Sequence, residues 1–149
     1  MAESERTQGG VPDARADAGG PSFELELPAV ATSVATGRHA VRRFCDGQSL
    51  DHGKIAIAVS EALTNVVVHA YRDTGGGTMR ISATMLVDVL LVVVSDDGLG
   101  MSPRDDSPGM GMGLLLIDQL AGTMHVDSDR AGTRLEMCFA RGAGSRTAA

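Results

Sequence analysis

The sequence predicts an α+β fold, a two-layer sandwich in which helices cover one face of a mixed, mainly antiparallel sheet. Three observations predict it. "FELEL" near the start alternates apolar and charged residues at the period of a half-buried strand. The long segment Asp51 to Tyr71 repeats its apolar residues at helical spacing instead. Two pairs of strand-like runs, "TMRISATML" with "VLLVVVSD" and "TMHVDSD" with "TRLEMCFA", are each joined by a short turn. A chain of 149 residues, 43% of them hydrophobic, is one domain's length and can build a core.

Taken in order, Met1 to Pro21 is rich in Gly, Ala, Asp, Glu and Arg with almost no large apolar residue, and reads as a disordered tail. "RGAGSRTAA", residues 141–149, reads the same way and leaves a domain over residues 22–140. After the first strand a helix is expected from Ala31 to Cys45, with Val34, Val41 and Cys45 inward and Arg38, Arg42 and Arg43 toward water. "GQSLDHG" breaks the chain. A long second helix then runs from Asp51 to Tyr71 with Ile55, Val59, Ala62, Leu63, Val66 and Ala70 as its buried stripe. "DTGGG" is a turn, and the next two strands meet at a tight turn near Asp88. The second of them is almost continuously apolar, as a central strand should be. "GLLLIDQLAG" reads as a short amphipathic helix ended by Gly122, and "RAG" turns the final hairpin.

Composition excludes several functions. The formal charge of −6 argues against a nucleic-acid footprint, which needs clustered Lys and Arg. Cys45 and Cys138 match no zinc-ligand spacing and read as buried or idle thiols. The longest apolar run, within Leu86 to Val94, is far short of the ~20 residues that span a bilayer. No basic segment followed by an apolar one opens the chain, so a cytoplasmic protein without membrane attachment is the expectation.

The chemistry concentrates in three places. In "EALTNVVVHAY" the polar residues Glu61, Asn65 and His69 recur every four residues, which at about 100° per residue puts them on one strip beside the buried stripe. In "SDDGLGM", Asp96 ends a buried strand and is followed by Gly98 and Gly100. Two readings stay open there: a strand-ending turn, or an acceptor for an exocyclic amine beside backbone that a ligand can approach. In "SPGMGMGLLLIDQL", Gly109, Gly111 and Gly113 precede a helix, whose N-terminal N–H groups suit a phosphate. A Walker A loop is excluded, because GxxxxGK[ST] is absent and Lys54 is the only lysine. A dinucleotide fingerprint is disfavoured, since no βαβ unit surrounds the glycines.

These three segments, with "AGT" at Ala131 to Thr133, occur in one order and spacing that resembles the Bergerat ATP-binding fold of the GHKL superfamily. Within it the chain is similar to the small stand-alone anti-sigma factors that are also serine protein kinases. The resemblance implies ATP and Mg²⁺ as ligands, with Asn65 on the metal and Glu61 as general base. His69 orients or packs. By the same resemblance Asp96 holds the adenine amine, with Gly98, Gly100 and Met101 beside the base, and Thr133 supports that contact through a water. Gly109, Gly111, Met112, Gly113 and Leu114 close over the phosphates, and Met101 to Pro108 forms a lid. In that lid Arg104 either neutralises phosphate or is simply solvated.

The implied reaction is transfer of the ATP γ-phosphoryl group to a serine of a STAS-type anti-sigma-factor antagonist. The antagonist competes with a sigma factor for the same homodimeric binder. Dimerisation is expected through the first strand and helix, and Arg38, Arg42 and Arg43 offer a basic strip to an acidic sigma-factor segment. Two alternatives stand beside this reading. One is a partner-switch protein that binds ATP without kinase activity. The other is a histidine-kinase-like catalytic domain acting in trans, since nothing before Ser22 reads as a histidine-bearing dimerisation helix.

Overall fold

The direction of each strand follows from the number of helices between it and the strand before it. The computed structural model describes residues 20–71, 76–98 and 108–142, with the backbone alone at 108–112. The order is β1 (Ser22–Pro28), α1 (Ala31–Phe44), α2 (His52–Asn65) continued by a π-helical turn (Val66–Ala70), β2 (Thr78–Met85), β3 (Val89–Asp96), α3 (Pro108–Leu120), β4 (Thr123–Asp129) and β5 (Gly132–Ala140). The sheet order is β1-β2-β3-β5-β4.

Every pairing among these strands is antiparallel, where the sequence suggested a mixed sheet. The reason is topological. The single helix α3 brings β4 back in the same direction as β3, but β5 lies between the two, so no parallel pair forms. The α+β class and the element order are as the sequence predicts.

Alternation along the strands builds the core. Leu27, Met79, Ile81, Ala83, Met85, Leu90, Val92, Val94, Leu135, Met137 and Phe139 face the helices and join one buried cluster. From α2 the predicted stripe Ile55, Val59, Ala62, Leu63, Val66 and Ala70 is buried throughout. The other sheet face is charged: Arg80 reaches Glu24 at 3.3 Å and Glu26 at 3.5 Å, and Arg134 pairs with Glu136 at 3.0 Å. Such exposed pairs contribute little.

Local chemistry sets the helix ends. Asp51 caps α2 by accepting the Lys54 N–H at 3.1 Å. Arg42 and Arg43 lie in the last turn of α1, where a helix favours cations. Gly37 of α1 lets the Leu63 side chain press against the helix backbone; a Cβ there would come within 2.6 Å of it. Arg38 departs from expectation. It does not simply face water but is half-buried, donating to Ser60 Oγ of α2 at 3.1 Å, because the α1–α2 crossing brings its side chain over the second helix.

α3 also differs. It begins at Pro108, so Gly109, Gly111 and Gly113 lie inside its first turns rather than ahead of it. Proline is suited to the first helical position, and the glycine penalty of about 1 kcal/mol each obscured the start in sequence. Of the predicted tails, residues 1–19 and 143–149 lie outside the described residues, whereas Pro21, Arg141 and Gly142 are held by backbone hydrogen bonds to Met85, Asp88 and Ser49.

Arg141 fastens the pole of the sheet at the β2–β3 turn. Its Nη1 donates to the Leu86 carbonyl at 2.7 Å and its Nη2 to Gln48 Oε1 at 2.6 Å, while its backbone N–H reaches Asp88 at 2.9 Å. The guanidinium thus ties together the α1–α2 loop, the β2–β3 turn and the end of β5. Arg141→Ala is expected to lower stability by about 1.5–3 kcal/mol, the usual worth of hydrogen bonds to a charged group. The check is a lower urea midpoint at unchanged slope.

Candidate functional site

α2 carries the first half of the site. Glu61 is half-buried, and Asn65 one turn later is only 7% exposed. Gly113 of α3 lies directly on them: a Cβ there would sit 3.1 Å from Asn65 Oδ1 and 3.3 Å from Glu61 Oε1. Asn65 Nδ2 is buried without a hydrogen-bond partner. An unsatisfied buried amide costs roughly 1–3 kcal/mol and is retained where a ligand completes it. Half a turn of the amide exchanges oxygen and nitrogen, so the same position can offer an acceptor to a cation. The donor set therefore fits the Mg²⁺ that the family implies.

Beyond Asn65 the α-helical register stops. Val66–Ala70 forms a π-helical turn, and three successive β-branched residues, Val66 to Val68, disfavour the tighter α turn there. A π turn adds a residue per turn and is frequent at functional sites. His69 therefore does not continue the strip of Glu61 and Asn65 at four-residue spacing, as the sequence suggested.

The second half of the site lies at the end of β3. Asp96 is 9% exposed and sits between Met79 of β2 and Thr133 of β5. Its Oδ1 accepts the Gly98 N–H at 2.8 Å, and the Thr133 backbone N–H also bonds the carboxyl. Burial raises its pKa above the ordinary aspartate value. The Gly98 bond opposes that shift, the Asp97 charge adds to it, and the Thr133 bond opposes it. Thr133, itself 8% exposed, shares a hydroxyl hydrogen bond of 2.9 Å with Ser128. The turn reading and the acceptor reading of Asp96 thus coexist in one carboxylate.

Three residues of this half carried no role in the sequence reading. Gly132 has φ +137, and a Cβ there would collide with the Asp96 carbonyl, so β5 can approach β3 only with glycine at this point. Ser128 holds the Thr133 hydroxyl. Tyr71, at the end of the π turn, donates to the Thr78 carbonyl at 2.5 Å and accepts the Asp97 N–H at 2.9 Å. The "GT" pair signals the first in sequence; the other two have no local signal, because their partners lie on other strands or loops.

The halves meet along α2. Gly98 packs so closely on Ala70 that a Cβ would strike the Ala70 carbonyl. The structure thus groups Glu61, Asn65 and Gly113 at one place and Asp96, Gly98 and Thr133 at another, joined through the π turn. Leu114 packs against the core. Gly109, Gly111 and Met112 have helical backbone in α3. Gly100, Met101, Arg104 and the rest of the lid before Pro108 lie outside the described residues.

An antiparallel sheet backed by α2 and α3, with a buried carboxylate at a strand end and a buried asparagine on the facing helix, defines a class of ATP-binding domain. A family profile described as "Histidine kinase-like ATPase domain" matches residues 27–139, and the chain belongs to that family. The resemblance drawn from the four motifs is thereby shown.

Within the family it stands with the anti-sigma factors. It is 32% identical over 133 residues to the anti-sigma F factor of Clostridium novyi (strain NT), covering 79% of this chain and 93% of that protein. It is also 32% identical over 126 residues to the serine-protein kinase RsbW of Halalkalibacterium halodurans, covering 72% of this chain and 76% of the relative. Among solved structures it superimposes on part of a Mycobacterium tuberculosis chain described as RsbU and RsbW domains. The TM-score is 0.61 at 22% identity, over 83% of this chain and 34% of that one, a likeness of fold.

The raised pKa of Asp96 gives a prediction with a definite sign. The folded state takes up this proton more readily than the unfolded chain, so stability present in acid is lost as pH rises from the ordinary aspartate value through the raised one. Asp96→Asn is expected to unfold at a higher temperature than wild type at pH 7. The difference should close below the ordinary aspartate pKa, measured by thermal unfolding across pH.

Proposed function

We propose that this chain is an ATP-dependent anti-sigma factor that acts as a serine protein kinase on an anti-sigma-factor antagonist. The observation that carries the reading is the buried, unpartnered amide of Asn65 beside Glu61, with Gly113 leaving both uncovered by any side chain of its own. The names of the curated relatives, anti-sigma F factor and serine-protein kinase RsbW, support it.

In this reading ATP lies between α2 and the start of α3. Asn65 would hold Mg²⁺, which supplies charge neutralisation at the phosphates when bound. The free N–H groups of the first turn of α3, at Gly109 and Gly111, would face phosphate oxygens. Asp96 would accept the N6 amine of adenine, and Thr133, held by Ser128, would steady the same edge. Gly98, Gly100, Met101, Met112 and Leu114 would complete the surroundings of the nucleotide.

Glu61 is then placed to accept the proton of an incoming serine hydroxyl as its oxygen bonds the γ-phosphorus and ADP departs. Positioning and charge neutralisation account for most catalysis in phosphoryl transfer, which is consistent with so sparse a set of side chains. The partners in this reading are a sigma factor and a STAS-type antagonist, with a homodimer formed through β1 and α1. Arg42 and Arg43, exposed at the end of α1, are the cations left to meet an acidic partner once Arg38 is engaged with Ser60.

The test is phosphate transfer from labelled ATP, with Mg²⁺, to a serine of a STAS-type antagonist. Wild type is expected to label it. Glu61→Gln should transfer about 10²- to 10⁴-fold more slowly, the usual worth of a general base, while binding ADP as wild type does. Undiminished transfer by Glu61→Gln would remove the base from the scheme, and ATP binding without transfer by wild type would leave a binding protein only.

A further inference from the structure

We infer that Tyr71 is a positioning residue for purine selection, acting on Asp96 through the Asp97 amide; this rests on the reading of Asp96 as the adenine acceptor. The hydroxyl of Tyr71 donates to the Thr78 carbonyl at the start of β2 and accepts the N–H of Asp97. It thus joins three separate elements: the π turn, the first residue of β2 and the backbone immediately after Asp96.

The ring is seated by backbone rather than by chance. Gly77 has no side chain, and a Cβ there would overlap the Tyr71 ring. On the other side Gly98 lies against the Ala70 carbonyl, and the same Gly98 donates its N–H to Asp96 Oδ1. Residues 96–98 are therefore held at two successive amides. The Asp97 N–H is fixed by Tyr71, and the Gly98 N–H is fixed by the Asp96 carboxylate. Fixing the first sets the direction of the second, and with it the rotation of the carboxyl group.

Direction matters because a carboxylate can only accept. Adenine presents an amine donor at its C6 position, whereas guanine presents a carbonyl acceptor. A carboxylate locked toward that edge attracts the one and repels the other. A carboxylate free to turn loses both effects. Ionisation of Tyr71 is disfavoured, first by burial and also by the charges of Asp96 and Asp97, so the hydroxyl keeps its proton for Thr78.

Tyr71→Phe removes the hydroxyl and keeps the ring. Calorimetry with ADP and GDP, each with Mg²⁺, compares it with wild type. The expected result is about tenfold weaker ADP binding, equivalent to about 1.4 kcal/mol, with GDP binding no weaker than in wild type, so the preference shrinks by at least the same factor. Transfer at saturating ATP should keep its kcat. In wild type the Asp97 amide should be protected from hydrogen exchange, a measurement that needs no variant.

An unchanged ADP-over-GDP preference in Tyr71→Phe overturns the inference while leaving the site intact. So does an unprotected Asp97 amide in wild type, or equal losses for both nucleotides in step with the unfolding temperature, which would make Tyr71 merely structural. If wild type binds neither nucleotide, the adenine reading of Asp96 falls and this inference falls with it.

Discussion

A carboxylate withdrawn from water at the end of a central strand is the constraint around which this protein is arranged. Desolvating Asp96 is unfavourable unless donors replace the lost water. The sheet supplies them from two directions, the Gly98 amide from the following turn and the Thr133 amide from β5. Each donor needs backbone to come unusually near. Gly132 permits the approach of β5, and Gly98 permits the turn to lie on Ala70. The glycines here are thus consequences of a buried charge as much as of any turn.

The long second helix is the element that turns two local arrangements into one site. Its middle presents Glu61 and Asn65 to α3, and its end, widened into a π turn, presents Ala70 and Tyr71 to the loop after Asp96. The buried stripe on its other side is continuous from Ile55 to Ala70 and packs on the sheet. Rigidity of the helix therefore fixes the spacing between the two arrangements. A site carried on regular elements keeps its geometry better than one carried on loops.

Much of this was legible in sequence because the relevant signals are local. The 3.6-residue period of Ile55 to Ala70, the alternation of "FELEL" and the hairpin pairs each announce an element within a few residues. Asn65 stood out as a polar position on an apolar helix, and Asp96 with Gly98 as an acid and a glycine closing an apolar strand, whereas Thr133 entered only through the resemblance of "AGT" to a family motif. What the sequence could not convey is spatial. The antiparallel character of the whole sheet depends on β5 falling between β3 and β4. The engagement of Arg38 with Ser60 depends on where two helices cross. The double hydrogen bond of Tyr71 arises from contacts with β2 and the Asp97 amide that no periodicity encodes. The start of α3 was hidden for a different reason: glycines that weaken a helix in isolation are accommodated when one of them packs on Asn65 and Glu61.

The fastening made by Arg141 has a practical side. Pro21 accepts the Met85 N–H and Arg141 donates to Asp88, so the chain both enters and leaves the sheet at the rim formed by the β2–β3 turn. Asp96 is at the other end of β3. A fluorescent reporter, an affinity handle or a second domain spliced before Gly20 or after Gly142 would hang from the rim opposite the Asp96 end. Such fusions should leave entry to that end unobstructed.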